Sequence, residues 1–174
     1  MENFLNPQRV LSQLLLESNM VAADFGSGAG FWAVPLAKML REGQVYAIDA
    51  QKEPLSVLQS ALRPQRILNI KTIQSNLEEK GGSKLRDSSL DLVLMTNILF
   101  QIENKKAVFG EASRILKTGG KLLVVEWLPK TSFGPDKGRV MKETIKKMAT
   151  EARCNFAKEI DAGSSHYGLL FEKN

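Results

Sequence analysis

The stretch "VAADFGSGAGFWAVPLA", residues 21–37, decides the fold. An apolar run reaches an acid, Asp24. Gly26, Gly28 and Gly30 follow in alternation, and an apolar helical pattern then begins. A short strand that breaks into a glycine loop and opens a helix presents backbone N–H groups near a helix N-terminus. That arrangement favours an anionic or polar nucleotide group.

Working outward, Asn6-Pro7 reads as a helix start, with Asn as N-cap and Pro at the first helical position. The helix predicted after it places Val10, Leu11, Leu14 and Leu15 on one face and ends near Ser18-Asn19. Downstream, "QVYAIDA" is a second strand ending on Asp49, and "EPLSVLQSALRPQ" is a helix with Leu55, Leu58 and Leu62 facing inward. "NIKTIQ" is a third strand, and "LDLVLMTN" a fourth, apolar enough to be buried on both faces. "KKAVFGEASRILKTGG" reads as a helix with a glycine stop and "KLLVVEWL" as a fifth strand. A Pro/Gly-punctuated loop, a helix "RVMKETIKKMATEA" and two closing strands, "NFAKEIDAG" and "HYGLLFEKN", complete the chain. Five strand–helix alternations predict a parallel α/β sheet covered on both faces, and the closing hairpin makes one strand antiparallel. Residues 1–174 read as a single domain.

The 174 residues suffice for one hydrophobic core, and 43% hydrophobic with 25% charged residues is an ordinary globular balance. No apolar run is long enough to span a bilayer, and the first residues lack the basic and small-residue signature of a secretion signal. With a single cysteine, Cys154, no internal disulfide forms, and a cytoplasmic location is expected. One Cys and one His make no zinc site, so no metal is expected. The net charge is +5, and residues 128–158 hold eight Lys/Arg against three Asp/Glu, so this segment carries the whole excess. Such a segment is either a solvated helix face or a surface for nucleic acid.

Two chemistries compete for the glycine loop. The dinucleotide fingerprint is G-x-G-x-x-G; here the spacing is G-x-G-x-G, with Phe31 after the last glycine. Asp24 stands two residues before the first glycine. A carboxylate there repels a pyrophosphate and suits a cofactor carrying positive charge. S-adenosyl-L-methionine has a sulfonium, an amino group and no phosphate. Asp49 can accept both ribose hydroxyls of either nucleotide class.

Four blocks, "ADFGSGAG", "VYAIDA", "LDLVLMTNILFQIE" and "ASRILKTGGKLLVVEW", together resemble the class I S-adenosylmethionine-dependent methyltransferases. Within that superfamily the chain is most similar to small relatives of the ubiquinone/menaquinone-biosynthesis C-methyltransferases, of methyltransferase type 11 kind. The "GPDKGRV" loop and the closing "GSSHYGLLFEK" also match that group. The resemblance implies a Rossmann-like seven-stranded sheet of order 3-2-1-4-5-7-6 with strand 7 antiparallel. It also implies that Asp24, Gly26, Ser27, Gly28 and Gly30 surround the methionine moiety. Asp49, Ala50 and Gln51 would hold the ribose and one adenine face. Asn76, where relatives often have Asp, would accept from the adenine amino group. Leu77 would offer a backbone N–H to the ring, and Asn97 would cover the cofactor from the acceptor side. S-adenosyl-L-homocysteine would be the product.

Methyl transfer from a sulfonium needs proximity and alignment more than a particular catalytic group. Several subclasses are disfavoured. Residues 96–99, "TNIL", lack the Pro-Pro of amino-methylating nucleic-acid enzymes, and Cys154, at the end of the last helix, reads as an inert thiol rather than a nucleophile. Arsenite methyltransferases need several cysteines. In the implied topology the turn before His166 lies at the cofactor edge. His166 is then a candidate base, since its ordinary pKa suits the role, or a structural histidine. Glu126 is a second catalytic candidate, able to bond an acceptor or to pair with a lysine of the basic segment. Trp127 is a candidate wall, Tyr167 a residue that orients the acceptor or packs, and Phe4 with the first helix (residues 1–18) a candidate lid. Phe100-Gln101 stands where many relatives have His. The leading expectation is a small, hydrophobic or quinone-like acceptor. RNA or protein methylation through residues 128–158, or a non-catalytic S-adenosylmethionine-binding module, stays open, as does the oligomeric state.

Overall fold

The structure is a computed structural model that describes residues 4–174. Seven strands form one sheet in the order β3-β2-β1-β4-β5-β7-β6. In chain order these are β1 (Val21–Phe25), β2 (Gln44–Asp49), β3 (Ile70–Gln74), β4 (Leu90–Thr96), β5 (Leu116–Trp127), β6 (Cys154–Ile160) and β7 (His166–Lys173). The first five pair in parallel, and β7 runs antiparallel to both β5 and β6. This is the expected order and the expected reversal. The turn between β6 and β7 is too short for a crossover, so β7 must return antiparallel. All the other strands point their C-terminal ends to one edge.

Five α-helices cover the sheet: α1 (Pro7–Leu11), α2 (Ala33–Met39), α3 (Lys52–Leu62), α4 (Lys105–Ile115) and α5 (Lys142–Glu151). Period-two alternation along β4 sends Leu92 and Leu94 into the core under α1, α2 and α3. Val93 and Met95 go into the core under α4 and α5. Both faces of β4 are therefore apolar.

Three elements differ from the sequence expectation. The first helix stops at Leu11, and Leu15 is 82% exposed. Asn6 caps Arg9 N as expected. Beyond Leu11, however, long-range hydrogen bonds replace the helical ladder. Gln13 bonds both the carbonyl and the N–H of Asp161, Lys158 donates to the Gln13 carbonyl, and Lys121 to that of Leu15. A five-residue helix has little propagation energy to resist this. The second difference lies at residues 117–120. The helix ends at Ile115 and the strand begins at once, because Leu116 is buried and pairs with Leu90. The register then shifts so that Leu92 faces Lys121. The two glycines thus serve a bulge in β5 rather than a helix stop. Cys154 opens β6 rather than ending the last helix; it is buried, and burial raises its thiol pKa, so it is unreactive.

The loop after β3, which carries Asn76 and Leu77, is locked to α4 by one buried acid. Glu111 Oε1 accepts from Ser83 N at 2.9 Å and from the Ser83 hydroxyl, and Arg114 bridges both carboxylate oxygens. Burial raises the Glu111 pKa, but the bonds from Arg114 and Ser83 outweigh it and hold it below the ordinary range. Glu111→Ala should cost about 3 kcal/mol in denaturant melts, the scale of a broken buried pair. Because the folded pKa is depressed, this stabilisation is present above the unfolded glutamate value of 4.5 and is lost as pH falls below it.

Candidate cofactor and acceptor site

The glycine loop sits at the C-terminal edge of β1, and its glycines have different duties. Gly26, Gly28 and Gly30 all have positive φ, +70°, +52° and +91°. A Cβ on Gly26 would lie 2.2 Å from Ile98 Cγ2, and one on Gly30 would lie 2.4 Å from Leu58 Cδ1. A Cβ on Gly28 would meet nothing within 4 Å. Two glycines permit packing; the middle one leaves open space. Gly26 N and Ser27 N both donate to the Ile48 carbonyl, at 2.8 and 3.0 Å, which ties the loop to β2.

Asp49, the last residue of β2, is held by two backbone donors. Gly28 N donates to Oδ2 and Gln51 N to Oδ1, each at 2.9 Å. The carboxylate is thereby fixed in orientation, while each oxygen keeps a lone pair for a further donor. It opens onto a cleft of about 210 Å³ bounded by Gly26, Ala50, Gln51, Asn76 and Leu77 on one side and Ile98, Gln101 and Ile102 on the other. No Lys or Arg lines the cleft, whereas Asp49 and Glu78 do. A pyrophosphate would find no cation here; a phosphate-free nucleoside with two free hydroxyls fits. Asn76 Oδ1 accepts from Glu78 N at 3.0 Å, so its carbonyl shapes the local turn and has one acceptor position left.

Asp24 lies behind the loop, 1% exposed, and neither of its oxygens has a hydrogen-bond partner among the described residues. Burial lifts its pKa to about 8; the nearby Ala33 N–H opposes this without completing a bond, and the Asp49 charge adds to the rise. At pH 7 the free carboxyl is therefore mostly protonated, and a cation seated beside the loop would lower its pKa and draw out its charge.

Just past the end of β4, Asn97 has φ +54°, a left-handed conformation uncommon outside glycine. Its side-chain Nδ2 lies 3.1 Å from His166 Nε2. His166 is 7% exposed, and its ring packs on Trp127 with centroids 3.9 Å apart. His166 Nδ1 and Asn97 Oδ1 are buried without partners among the described residues. Turning the Asn97 amide over would still leave one polar atom on each side chain unmet. Burial lowers the His166 pKa to about 4, so the ring is neutral at pH 7 and a weaker base than its ordinary value suggests.

A family model described as a methyltransferase domain matches residues 16–172. The chain belongs to this methyltransferase family. Its sheet is the class I S-adenosylmethionine-dependent methyltransferase fold, and S-adenosylmethionine is the family's cofactor. A demethylmenaquinone methyltransferase of Geobacillus kaustophilus is 27% identical over 126 residues, 72% of this chain and 53% of that protein. A ribosomal RNA small subunit methyltransferase G of Chlorobium phaeobacteroides is 30% identical over 103 residues, 59% of this chain and 42% of that protein. The chain thus spans about half the length of the curated relatives it matches. The crystal structure of a SAM dependent methyltransferase from Aquifex aeolicus superposes with a TM-score of 0.85 at 24% identity, covering 97% of this chain and 89% of that one.

Of the residues singled out in the sequence, the methyltransferase brings Gly26, Asp49, Ala50, Gln51, Asn76 and Leu77 to the cleft wall. Asp24, Ser27 and Gly30 support the loop from behind, and Asn97, Trp127 and His166 form a group of their own at the same sheet edge. Two expectations need correction. Glu126 is 1% exposed and bonds neither an acceptor surface nor a lysine of the basic segment; Oε1 accepts from Ile98 N at 2.9 Å and Leu99 N at 2.7 Å. Tyr167 packs in the core under α4 and α5, and its hydroxyl donates to the Val140 carbonyl. Burial pushes its pKa up, so it is a packing residue rather than one presented to an acceptor. Phe4 is 68% exposed, and the helix behind it is packed on α2 through the core that holds Val10, Leu11 and Leu36.

The lining residues missed are Ser75, Glu78, Ile98 and Ile102, and Gln101 was noted only as standing where many relatives have His. The available signal for Ile98 and Ile102 was "NILFQI", an apolar stretch directly after a buried strand at the cofactor edge. Four of the eight cations of the basic segment are engaged within the chain, and Lys130, Lys137, Lys147 and Arg153 are exposed. The Arg139 guanidinium donates to the carbonyls of Leu128, Pro129, Thr131, Phe133 and Pro135, gathering the loop after β5 around itself. Lys142 pairs with Glu159, Lys146 lies 4.2 Å over the Phe156 ring, and Lys158 bonds Gln13. Among the described residues no helix is long and apolar enough to cross a membrane.

Because His166 is the only histidine, its imidazole resonances need no assignment. They should not titrate between about pH 5.5 and 8 by NMR, and a midpoint near the ordinary value of 6.5 would refute its burial. The sign for stability follows. With the folded pKa depressed, the unfolded chain binds the proton more readily, so this residue's contribution falls as pH drops from the unfolded value toward 4.

Proposed function

We propose that this methyltransferase uses S-adenosylmethionine to methylate a small, largely apolar acceptor of quinone type. When bound, the cofactor supplies an already activated methyl group on a sulfonium. Asp49 would hold the ribose hydroxyls, and Ala50, Gln51, Asn76 and Leu77 the adenine. Gly26, Ser27, Gly28 and Gly30 would lie along the methionine portion, with Asp24 behind them favouring its positive charge. The protein's own work is alignment. Asn97 and the neutral His166 give the acceptor side hydrogen-bonding atoms, and Trp127 gives it a flat aromatic wall. Neutral His166 can take a proton from an acceptor hydroxyl or hold that hydroxyl in line; its lowered pKa suits holding better.

The observation that carries the acceptor class is a cleft without cations at the sheet edge where the Trp127–His166 ring pair also lies. The likeness to a demethylmenaquinone methyltransferase supports it. The likeness to a ribosomal RNA methyltransferase favours RNA as a second reading, but Arg139, Lys142, Lys146 and Lys158 are already engaged inside the chain. Incubation with methyl-labelled S-adenosylmethionine and cell extract separates the two. Label should enter the solvent-extractable small-molecule fraction. Label in RNA or protein would replace the proposal, and cofactor binding with no labelled fraction would point to a binding module.

A further inference from the structure

Glu126 is a buried acid that the proposed reaction does not use, yet it is built into the site. The left-handed Asn97 turns the chain out of β4, and the next two amides, Ile98 N and Leu99 N, converge on the single oxygen Oε1. Leu99–Gln101 is a short 3₁₀ turn, so these are amides its own ladder leaves unmet. Successive backbone N–H groups of this kind make a concave donor site for an anionic oxygen. The Ile98 side chain lies where a Cβ on Gly26 would be, and Ile98, Gln101 and Ile102 form one wall of the cleft. Among the described residues nothing else accepts from Ile98 N or Leu99 N.

We infer that Glu126 is a positioning residue for the cofactor: its carboxylate fixes the turn at 98–102, and through Ile98 that turn sets the wall facing Asp49. This rests on the reading that the cleft takes the nucleoside half of the cofactor. Glu126 does not itself line the cleft and reaches it through the Ile98 amide. The groups facing it are Tyr167, its β7 partner across the sheet, Lys105 at the start of α4, and the Trp127 N–H. Burial, opposed by the Leu99, Ile98 and Trp127 N–H groups and by Lys105, places its pKa at about 7.

The test uses the full chain and S-adenosylhomocysteine in calorimetry, with amide hydrogen exchange as a ligand-free readout. Glu126→Ala should weaken binding about tenfold or more, since two charge-assisted bonds are lost. Exchange at Ile98 and Leu99 should accelerate alongside. Glu126→Gln keeps an acceptor oxygen for both amides and should restore affinity to within about threefold of wild type. A folded Glu126→Ala that binds like wild type, while Asp49→Ala does not, overturns the role of Glu126. Asp49→Ala binding like wild type overturns the cleft reading and takes this inference with it. If Glu126→Ala does not fold, amide exchange on the wild type decides. The Ile98 and Leu99 amides should be protected in the free protein and more so with S-adenosylhomocysteine bound. Ligand binding that leaves their exchange unchanged overturns the inference.

Discussion

Asp49→Ala should lower affinity for S-adenosylhomocysteine by roughly 100-fold or more, measured by calorimetry at pH 7.5. The reason is visible in the free protein. The carboxylate is oriented by Gly28 N and Gln51 N, so its remaining lone pairs are aimed before any ligand arrives. Removing it deletes two charge-assisted bonds to ribose hydroxyls, each worth about 1.5–3 kcal/mol. It also releases the middle of the glycine loop from β2. The loop stays tied through Gly26 N and Ser27 N on the Ile48 carbonyl, so the thermal midpoint should move little. A loss of binding under about fivefold would mean that Asp49 does not hold the ribose.

Alanine at two glycines should separate folding from binding. Gly26→Ala places a methyl 2.2 Å from Ile98 Cγ2 at a φ of +70°, so it meets both a steric block and left-handed strain. Together these should cost about 3 kcal/mol of stability. Gly28→Ala meets nothing within 4 Å and carries only the backbone strain, about 1 kcal/mol. Its methyl, however, enters the open space beside the Asp49 carboxylate. The expected pattern is a low thermal midpoint for Gly26→Ala, and for Gly28→Ala a near-normal midpoint with weak cofactor binding. A normal melt for Gly26→Ala would contradict the close approach of Ile98.

What the sequence made legible has a physical limit. Alternating apolar patterns and glycine punctuation determine which face of a strand is buried and where a chain turns. The strands themselves, the antiparallel closing hairpin, the loop at Gly26–Gly30 and the carboxylate at Asp49 could all be read that way, whereas the order 3-2-1-4-5-7-6 came from the resemblance to the methyltransferases. Partner choice is another matter. Glu126 and its amides are 27 and 28 residues apart, and no local pattern says that a carboxylate at the end of β5 will bond the turn after β4. Leu15 fitted a helical stripe, yet bonds from Gln13 to Asp161, 148 residues away, pulled the chain off the helix. Arg139 looked like part of a charged surface until five carbonyls converged on it. His166 was legible as a residue at the site edge, but its depressed pKa comes from burial beside Trp127, which sequence does not report. Ile98 lacked a chemical signature altogether; it matters by shape.

The central claim is that the Asp49 cleft receives the nucleoside half of S-adenosylmethionine and presents its methyl group toward Asn97 and His166. A crystal structure of the chain with S-adenosylhomocysteine tests this most directly. The ribose hydroxyls should bond the two Asp49 oxygens, the adenine should lie between Leu77 and Ile98, and the sulfur should face Asn97. A ligand bound elsewhere, or one whose ribose leaves Asp49 untouched, would contradict it.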